Sequence, residues 1–381
     1  MSRKLFLCTV FFVLVCLFAF ALGCEDNDSS TDSQGSDDDD DTETDDDAVD
    51  DDDISDDDDA SDDDAGCDDD DIDDDDTTDD DDDMVDDDDI IDDDDTDDDD
   101  LVDDDDADDD DDFVGPEAIR AMSFNLRTGL APDGDDAWSN RKQIVTAYIA
   151  SELPDVMGVQ EALIFQLAFI KTTVPGYEWV GRSRRLLPDE YSAVFYRADK
   201  FTLIDQSTFW LSDTPDVVGS MFSTSQLCPR IVTWAKLESN ASGRVLFVFN
   251  THFDTYHGDQ VHEKSAALLA EKIEEIAQGA PVIVTGDFNE SVGASGYNIL
   301  TGVTEFNSIS GNLVDPWIEL SIPDEGTFHD FTGIPTGSSR IDWVLHTEQI
   351  TPTDAVVSHY NQGGQYPSDH FPVYTDFTWP D

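Results

Sequence analysis

Polar side chains of catalytic type accompany short apolar segments at six places after residue 113. A single Asp or Asn after a strand is more often a turn or capping residue than a catalytic one, so no segment is decisive alone. Six in one domain can converge at one rim of a layered fold and form a site for a cation and an oxyanion. The segments are Ser123-Phe124-Asn125-Leu126, Gln160-Glu161, Asn250-Thr251-His252-Phe253-Asp254, Gly286-Asp287-Phe288-Asn289, Arg340-Ile341-Asp342 and Ser368-Asp369-His370-Phe371-Pro372.

The residue types indicate which reaction such a site would catalyse. Glu161 with Asn125, and with Asp369 as a further carboxylate, offers the hard oxygen ligands that Mg²⁺ or Mn²⁺ prefers. The sequence has no Cys/His cluster at zinc spacing, no P-loop and no complete Gly-x-Ser-x-Gly motif. Metal-assisted hydrolysis of a phosphate ester fits best. The groups that would activate water or donate to the phosphate are Asp287, His370, His252 and Asn289.

The elements that must position these groups are short apolar strands mixed with helices. Strands without a strict strand–helix–strand rhythm favour a layered α/β domain with antiparallel pairs, and no internal linker is visible in 113–381. The predicted helices are 141–153, 163–173 and 262–278. The predicted strands are 118–126, 156–159, 193–196, 202–210, 231–237, 244–250, 282–285, 341–345 and 371–377, with a hairpin turn at 239–243.

Charge divides the chain into two parts. The 381 residues carry a net charge of -75, from 93 acidic and 18 basic side chains. Residues 25–112 hold 58 of the acidic side chains and no Lys or Arg, so 113–381 keep 35 acidic and 16 basic side chains, a net charge of -19. This composition excludes a disulfide-rich miniprotein, a polytopic membrane protein and a basic nucleic-acid-coating protein.

The Asp-rich segment 24–112 cannot bury a core, because its charges repel and its apolar content is small. We predict a disordered spacer, which could reach at most about 290 Å and takes no part in the chemistry. Its repeats lack the glycine turn and the final Glu of a calcium loop. Loose collection of Ca²⁺ by its dense carboxylates is the alternative.

The N-terminus predicts export. Arg3 and Lys4 precede an apolar run over 5–22, and Gly23-Cys24 follows. This pattern is typical of a bacterial lipoprotein signal over 1–23 with lipidation at Cys24. The alternative is an uncleaved membrane anchor, and both place the domain outside the cytoplasm. Cys228 is the only Cys of 113–381, so that domain has no internal disulfide.

In order and spacing, the six segments resemble the endonuclease/exonuclease/phosphatase superfamily, whose fold is DNase I-like. The resemblance covers about 117–379, and the segments 209–212 and 228–235 resemble a secreted bacterial lipoprotein branch. It implies a four-layer α/β/β/α sandwich with two mixed central β-sheets. We expect an active enzyme, because none of the six segments is broken.

The resemblance also implies roles. Glu161 would be the principal metal ligand with Asn125 beside it, and Asp369 would be a further carboxylate facing the metal. Asp342 would orient His370, which stabilises the transition state or acts as the base. His252 would contact the scissile phosphate, and Asn289 would hold a phosphate oxygen. Asp287 would position or deprotonate the attacking water.

Further positions match the lining of the family's substrate cleft. They are Arg182, Glu190, Tyr191 and Arg230. The alternative for Arg182, Arg184 and Arg185 is an ordinary solvated basic loop. His262 stands where the family usually has Arg, and we expect His257 and His262 to lie behind the site or at the surface.

The substrate stays open at this point. We expect a Mg²⁺-dependent phosphodiesterase or nuclease, acting as a monomer, although a net charge of -19 argues against tight binding of duplex DNA. A phosphatase acting on a small or lipid phosphate ester is the alternative within the same class. A surface binding protein without catalysis is the alternative from another class, and a metal-binding surface polymer is a fourth.

Overall fold

The computed structural model describes residues 115–380. The predicted signal 1–23, the lipidation site Cys24 and the Asp-rich segment 24–112 lie outside the described residues. Within 115–380, no helix combines the length and the apolar character that crossing a bilayer requires.

Two mixed β-sheets form the centre of the fold. The first sheet has the strand order β10-β11-β1-β2-β4-β3, in which only β1 and β2 are parallel. Its strands are β1 (Glu117–Asn125), β2 (Val156–Ala162), β3 (Tyr177–Val180), β4 (Tyr191–Arg197), β10 (Thr351–Val357) and β11 (Val373–Trp379). The second sheet has the order β5-β6-β7-β8-β9, with only β7 and β8 parallel. Its strands are β5 (Phe201–Trp210), β6 (Ile231–Ser239), β7 (Val245–His252), β8 (Val282–Asp287) and β9 (Asp342–His346).

Helices cover the outer face of each sheet. The helices are α1 (Trp138–Glu152), α2 (Ile164–Thr173), α3 (Val261–Ala277) and the short α4 (Ser295–Leu300) and α5 (Pro316–Glu319), with a 3-10 turn at Gly134–Asp136. Tyr148 of α1 and Leu167 of α2 join a buried cluster with Phe195 of the first sheet. Leu269 of α3 packs in a second cluster with Phe249 of the other sheet.

A third apolar cluster fills the space between the sheets. Val156 of the first sheet lies in it with Val248 and Ile283 of the second. The α/β/β/α order of layers that the resemblance implied is therefore confirmed. Burial of apolar side chains on both faces of each sheet is the main stabilising contribution to such a fold.

Most predicted elements begin and end within three residues of the observed ones, and two strands were missed. The segment Tyr177–Val180 is only four residues long and does not alternate. The segment Thr351–Val357 contains Pro352, which argues against a strand except at a sheet edge, and β10 is an edge strand. The prediction also ended β2 at Val159, whereas the strand continues through a bulge to Ala162.

Strand directions bring the six polar segments to one rim. In the first sheet Asn125, at the end of β1, lies opposite Gln160 of β2. In the second sheet Asp287, at the end of β8, lies between His252 of β7 and Asp342 of β9. Because β11 runs antiparallel to β1, it begins at this same rim, directly after His370.

A buried amide joins the two sheets behind this rim. The Nδ2 of Asn250 donates to the carbonyls of Val159 and Ala193, each at 2.9 Å. Its Oδ1 accepts from Gln160 Nε2 at 2.7 Å and from Thr285 Oγ1 at 3.1 Å. All hydrogen-bonding capacity of the side chain is used, so this polar group is compatible with burial.

A buried ion pair fixes the loop that enters β9. The Arg340 guanidinium is fully buried, lies 4.0 Å from the ring of Trp317 and donates to Asp315 Oδ2 at 2.9 Å. Its Nε donates to Asp324 at 2.5 Å. Since Asp342 follows two residues later, this anchor helps to place a site carboxylate.

We predict that Asp315→Ala lowers the free energy of unfolding by about 3 kcal/mol, because Arg340 would keep a buried charge without its principal partner. Urea unfolding followed by tryptophan fluorescence measures the loss. Glu178→Ala is the control, since its pair with Lys171 is half-exposed and is expected to contribute about 1 kcal/mol or less. Equal losses in the two variants would contradict the anchoring role of Asp315.

Candidate active site

Asn125 connects the two halves of the site. Its Nδ2 donates to Asp287 Oδ2 of the other sheet at 2.8 Å and to Glu161 Oε1 at 3.2 Å. Its Oδ1 accepts from the backbone N–H of Arg127 at 2.9 Å. Three sequence-predicted residues from three strands therefore share one buried hydrogen-bond network.

Two site residues have the left-handed backbone that residues other than Gly rarely adopt. Glu161 has φ 57° and Asn289 has φ 51°. The register of β2 against β4 shifts between Val159 and Ala162, so Glu161 lies in a β-bulge. Strained backbone of this kind clusters at functional sites, where it aims side chains that regular geometry would point elsewhere.

His370 and Asp342 form a buried ion pair. Their Nδ1 and Oδ2 atoms are 2.8 Å apart, as the predicted orienting role of Asp342 requires. Burial by itself would lower the pKa of His370, but the negative charges of Asp342 and Asp287 raise it well above its ordinary value. His370 is therefore a cation near neutral pH, able to stabilise negative charge or to donate a proton.

Asp287 lies at the centre of the site. Its Oδ2 is 3.7 Å from His370 Nε2 and 3.5 Å from His252 Nε2, and its Oδ1 accepts from the backbone N–H of Asn289 at 3.0 Å. Burial, together with the negative charge of Asp342, raises the pKa of Asp287 to about 7. A carboxylate of that basicity can accept a proton from water near neutral pH.

His252 is neutral, in contrast to His370. Burial lowers the pKa of His252 well below its ordinary value, and the positive charges of Arg230 and Arg184 lower it further. Its Nε2 lies 2.9 Å from Asn289 Nδ2, which also donates to the carbonyl of Phe253 at 3.0 Å. The structure thus brings together the two groups that the sequence assigned to the phosphate.

The carboxylates of the site have room for a divalent cation. A cluster of Asp287, Asp342 and His370 could hold a metal, with one ligand atom of each within 4.8 Å of the others, and Asp342 Oδ1 is buried without a hydrogen-bond partner. His370 is protonated and paired, however, so an oxygen set that includes Glu161 fits a hard cation better.

Asp369 extends that oxygen set. Burial raises its pKa, and the nearby charge of Glu161 raises it further, although Arg127 lies 3.5 Å from its carboxylate. A bound divalent cation would reduce the repulsion between these two carboxylates. Glu161 and Asp369 therefore offer oxygen ligands of the predicted kind, whereas Asn125 turns its Nδ2, and not its Oδ1, towards Glu161.

A small cleft opens beside these groups. It is lined by Glu161, Arg184, Glu190, Tyr191, Ser192, Pro229, Arg230, Ile231 and His252. The predicted substrate residues Glu190, Tyr191 and Arg230 lie there, but Arg182 does not. Arg182 is exposed with its guanidinium 4.9 Å from the ring of Trp210, and Arg184, which the alternative treated as solvated, occupies the cleft.

The sequence pattern did not single out Arg141. This fully buried side chain donates to the carbonyls of Leu126 at 2.6 Å, Pro367 at 2.9 Å and Arg127 at 2.9 Å. It thereby ties the loop after Asn125 to the loop before Asp369. Arg141 lies on the first turn of α1, and the hydrophobic periodicity of the sequence does not reveal that its charge is buried.

His262 lies behind the cleft and not at the surface. It is buried, with Nε2 2.7 Å from the carbonyl of Asp254 and Nδ1 3.3 Å from Glu290 Oε2. The Asp254 carboxylate lies 3.5 Å from Arg230. By contacting the backbone of Asp254, His262 therefore helps to hold the residue that pairs with this arginine of the cleft. His257 is exposed and stacks on the His262 ring at 4.3 Å.

We predict that Mg²⁺ or Mn²⁺ stabilises the folded protein, by about 2.7 kcal/mol at 100 times the dissociation constant, because the cation binds the assembled carboxylates. Thermal unfolding with and without metal measures this. Glu161→Gln should lose most of the stabilisation, whereas Glu178→Gln, at an exposed pair, should keep it. An undiminished effect in Glu161→Gln would show that Glu161 holds no metal.

The fold has counterparts among solved structures. An endonuclease/exonuclease/phosphatase family protein of Bacteroides thetaiotaomicron is 29% identical, with a TM-score of 0.63 over 70% of this chain and 99% of that one. A family protein of Bacteroides vulgatus is 31% identical, with a TM-score of 0.62 over 68% and 98%. A mannosyl-6-phosphatase of Bacteroides thetaiotaomicron is 29% identical, with a TM-score of 0.60 over 68% and 99%.

Two sequence relatives match over part of their length. The chain spans 59% of an uncharacterized mimivirus protein and 43% of Drosophila nocturnin, at 27% and 22% identity. The model of the Endonuclease/Exonuclease/phosphatase family matches residues 122–370, more than half of the chain. The chain therefore belongs to the Endonuclease/Exonuclease/phosphatase family.

Proposed function

We propose that this protein is a metal-dependent hydrolase of small phosphate esters. The family and its solved relatives act on phosphoester bonds. The observation that carries the proposal is the position of Asp287, a buried carboxylate within 3.7 Å of His370 and within 3.5 Å of His252. A base, a charged donor and a neutral imidazole thus surround one reacting centre.

The mechanism assigns one task to each group. Asp287 accepts a proton from the water that attacks phosphorus. His370, held as a cation by Asp342, stabilises the charge that develops on the phosphate or gives a proton to the leaving oxygen. Asn289 and His252 orient the phosphate oxygens. Mg²⁺ held by Glu161 and neighbouring oxygens would supply charge neutralisation for the phosphate.

For the substrate, we place a phosphate monoester ahead of the diester that the sequence favoured. The net charge of -19 in 113–381 disfavours a polyanion. The similarity to a Bacteroides mannosyl-6-phosphatase also supports a monoester ahead of a diester.

We also propose that the enzyme acts outside the cytoplasm, as a monomer held to a bacterial membrane through Cys24. The charged start, the apolar run over 5–22 and Gly23-Cys24 support this location. Metabolic labelling with a radioactive fatty acid tests it. Label in the native chain and its absence from Cys24→Ser are expected, and equal label in both would contradict the anchor.

We predict that Asp287→Ala and His370→Ala each reduce turnover by at least about 10²-fold, the range expected when a positioned base or charged donor is removed. Asp354→Ala and His359→Ala are matched controls at exposed positions, and they should keep turnover within about twofold of the wild type. Turnover close to the wild-type value in both site variants would overturn the assignment.

The substrate class is tested with the full chain and p-nitrophenyl phosphate, bis-p-nitrophenyl phosphate, plasmid DNA and RNA, each with Mg²⁺ or EDTA. Metal-dependent release from the monoester, well above that from the diester, is the result that the proposed order of substrates predicts. Faster cleavage of the diester and nucleic acids would restore the nuclease as the better assignment. No hydrolysis of any of these substrates would favour a binding protein of the same fold.

A further inference from the structure

Two loops form the outer wall of the cleft. The first follows β3 and spans 181–190, and the second precedes β6 and spans 226–230. Arg185 Nη2 of the first loop donates to the carbonyl of Leu227 in the second at 3.3 Å, so the loops are in contact. Each loop directs one arginine into the cleft, Arg184 from the first and Arg230 from the second.

Both arginines have unused donors. The Arg184 side chain is 9% exposed and is paired with Glu190 at 2.6 Å and Asp189 at 3.1 Å, yet its Nε has no partner. The Arg230 side chain is 11% exposed, and its Nε makes no hydrogen bond, although it lies 3.5 Å from Asp254 Oδ2. Within 115–380, Asp254 is the only ion-pair partner of Arg230. Buried guanidinium donors without partners are suited to the oxygens of an anion.

The same two loops carry an apolar rim, formed by Leu186, Leu187 and Leu227. These side chains are 85%, 68% and 78% exposed, while the arginines beside them point inward. A single exposed leucine is ordinary, but three on two touching loops, each within three residues of an arginine that lines the cleft, form an apolar contact surface.

We infer that the substrate is a phosphate monoester of an apolar alcohol. This inference rests on the proposed function and specifies its substrate class. The phosphate binds Arg230 and Arg184 inside the cleft, and the hydrocarbon part lies on the leucine rim. Water forms the new P–O bond, the bond from phosphorus to the alkoxy oxygen breaks, and that oxygen takes up a proton. The products are inorganic phosphate and the alcohol.

The charge and the shape of the wall both favour this class. A sugar or nucleoside would place hydroxyl groups against the leucine side chains, which offer them no hydrogen-bond partner. A nucleic acid strand would also bring further phosphates towards a domain of net charge -19. A hydrocarbon chain makes no hydrogen bonds with water, so its transfer from water to this apolar surface is favourable.

The test compares the full chain, with Mg²⁺, on octyl phosphate and ethyl phosphate below the micelle-forming concentration. We expect kcat/KM to be at least about tenfold higher for octyl phosphate, the factor that burial of two of its additional methylene groups would give. Equal values for the two esters would overturn the inference and leave the proposed function standing. No phosphate release from either ester or from p-nitrophenyl phosphate would overturn both.

Variants locate the preference on the rim. Leu186→Ser with Leu227→Ser should bring the octyl-to-ethyl ratio to within about threefold of one, because the apolar contact is lost. Val303→Ser with Ile318→Ser changes two similarly exposed apolar side chains that do not line the cleft, and it should keep the wild-type ratio. A ratio that is unchanged in the leucine variant, or lowered equally in both, would show that the rim does not bind the alcohol.

Arg230→Gln separates the phosphate from the hydrocarbon. It should raise KM for both esters by about tenfold, as expected for loss of a charged hydrogen bond, without changing their ratio. An effect confined to one ester would contradict the assigned position of the phosphate.

Discussion

The structure depends on a buried amide that fixes the distance between the two sheets at the active rim. Asn250 of β7 bonds to the backbone of β2 and β4 and to side chains of both sheets. The sheets come so close here that a Cβ on Gly158 would lie 2.0 Å from Thr285 Oγ1 and 2.4 Å from Asn250 Oδ1. Glycine is therefore required at that position, and the polar cross-link specifies one alignment of the sheets.

That alignment allows chemistry between residues of different sheets. Asn125 of the first sheet reaches Asp287 of the second across 162 positions of sequence. A small slide of one sheet would break this contact and also the approach of His370 to Asp287. Arg141 and Arg340, both fully buried, secure the loops on either side of the rim. Rigid support of this kind keeps catalytic groups in place before the substrate binds.

The electrostatics of the site divide two histidines and several carboxylates into different roles. Asp342 and Asp287 outweigh burial and raise the pKa of His370, whereas burial, together with two arginines, lowers the pKa of His252. Asp287 stays basic because burial and Asp342 oppose its ionisation. Most of the net charge of -75 belongs to 25–112, outside the described residues. A few buried charged groups, and not the net charge of the whole chain, determine the chemistry of the site.

The sequence by itself determined which polar segments exist, their order, and the alternation of strands and helices that predicts a layered fold. It also supplied the chemistry of the site, because residue types such as Glu161, Asp287 and His370 limit the possible reactions. Only the tertiary structure decided that Glu161 lies in a bulge, that Arg184 and not Arg182 enters the cleft, and that Arg141 is buried. The physical reason is that side-chain direction depends on local backbone angles and on contacts between distant strands, which hydrophobic periodicity does not encode.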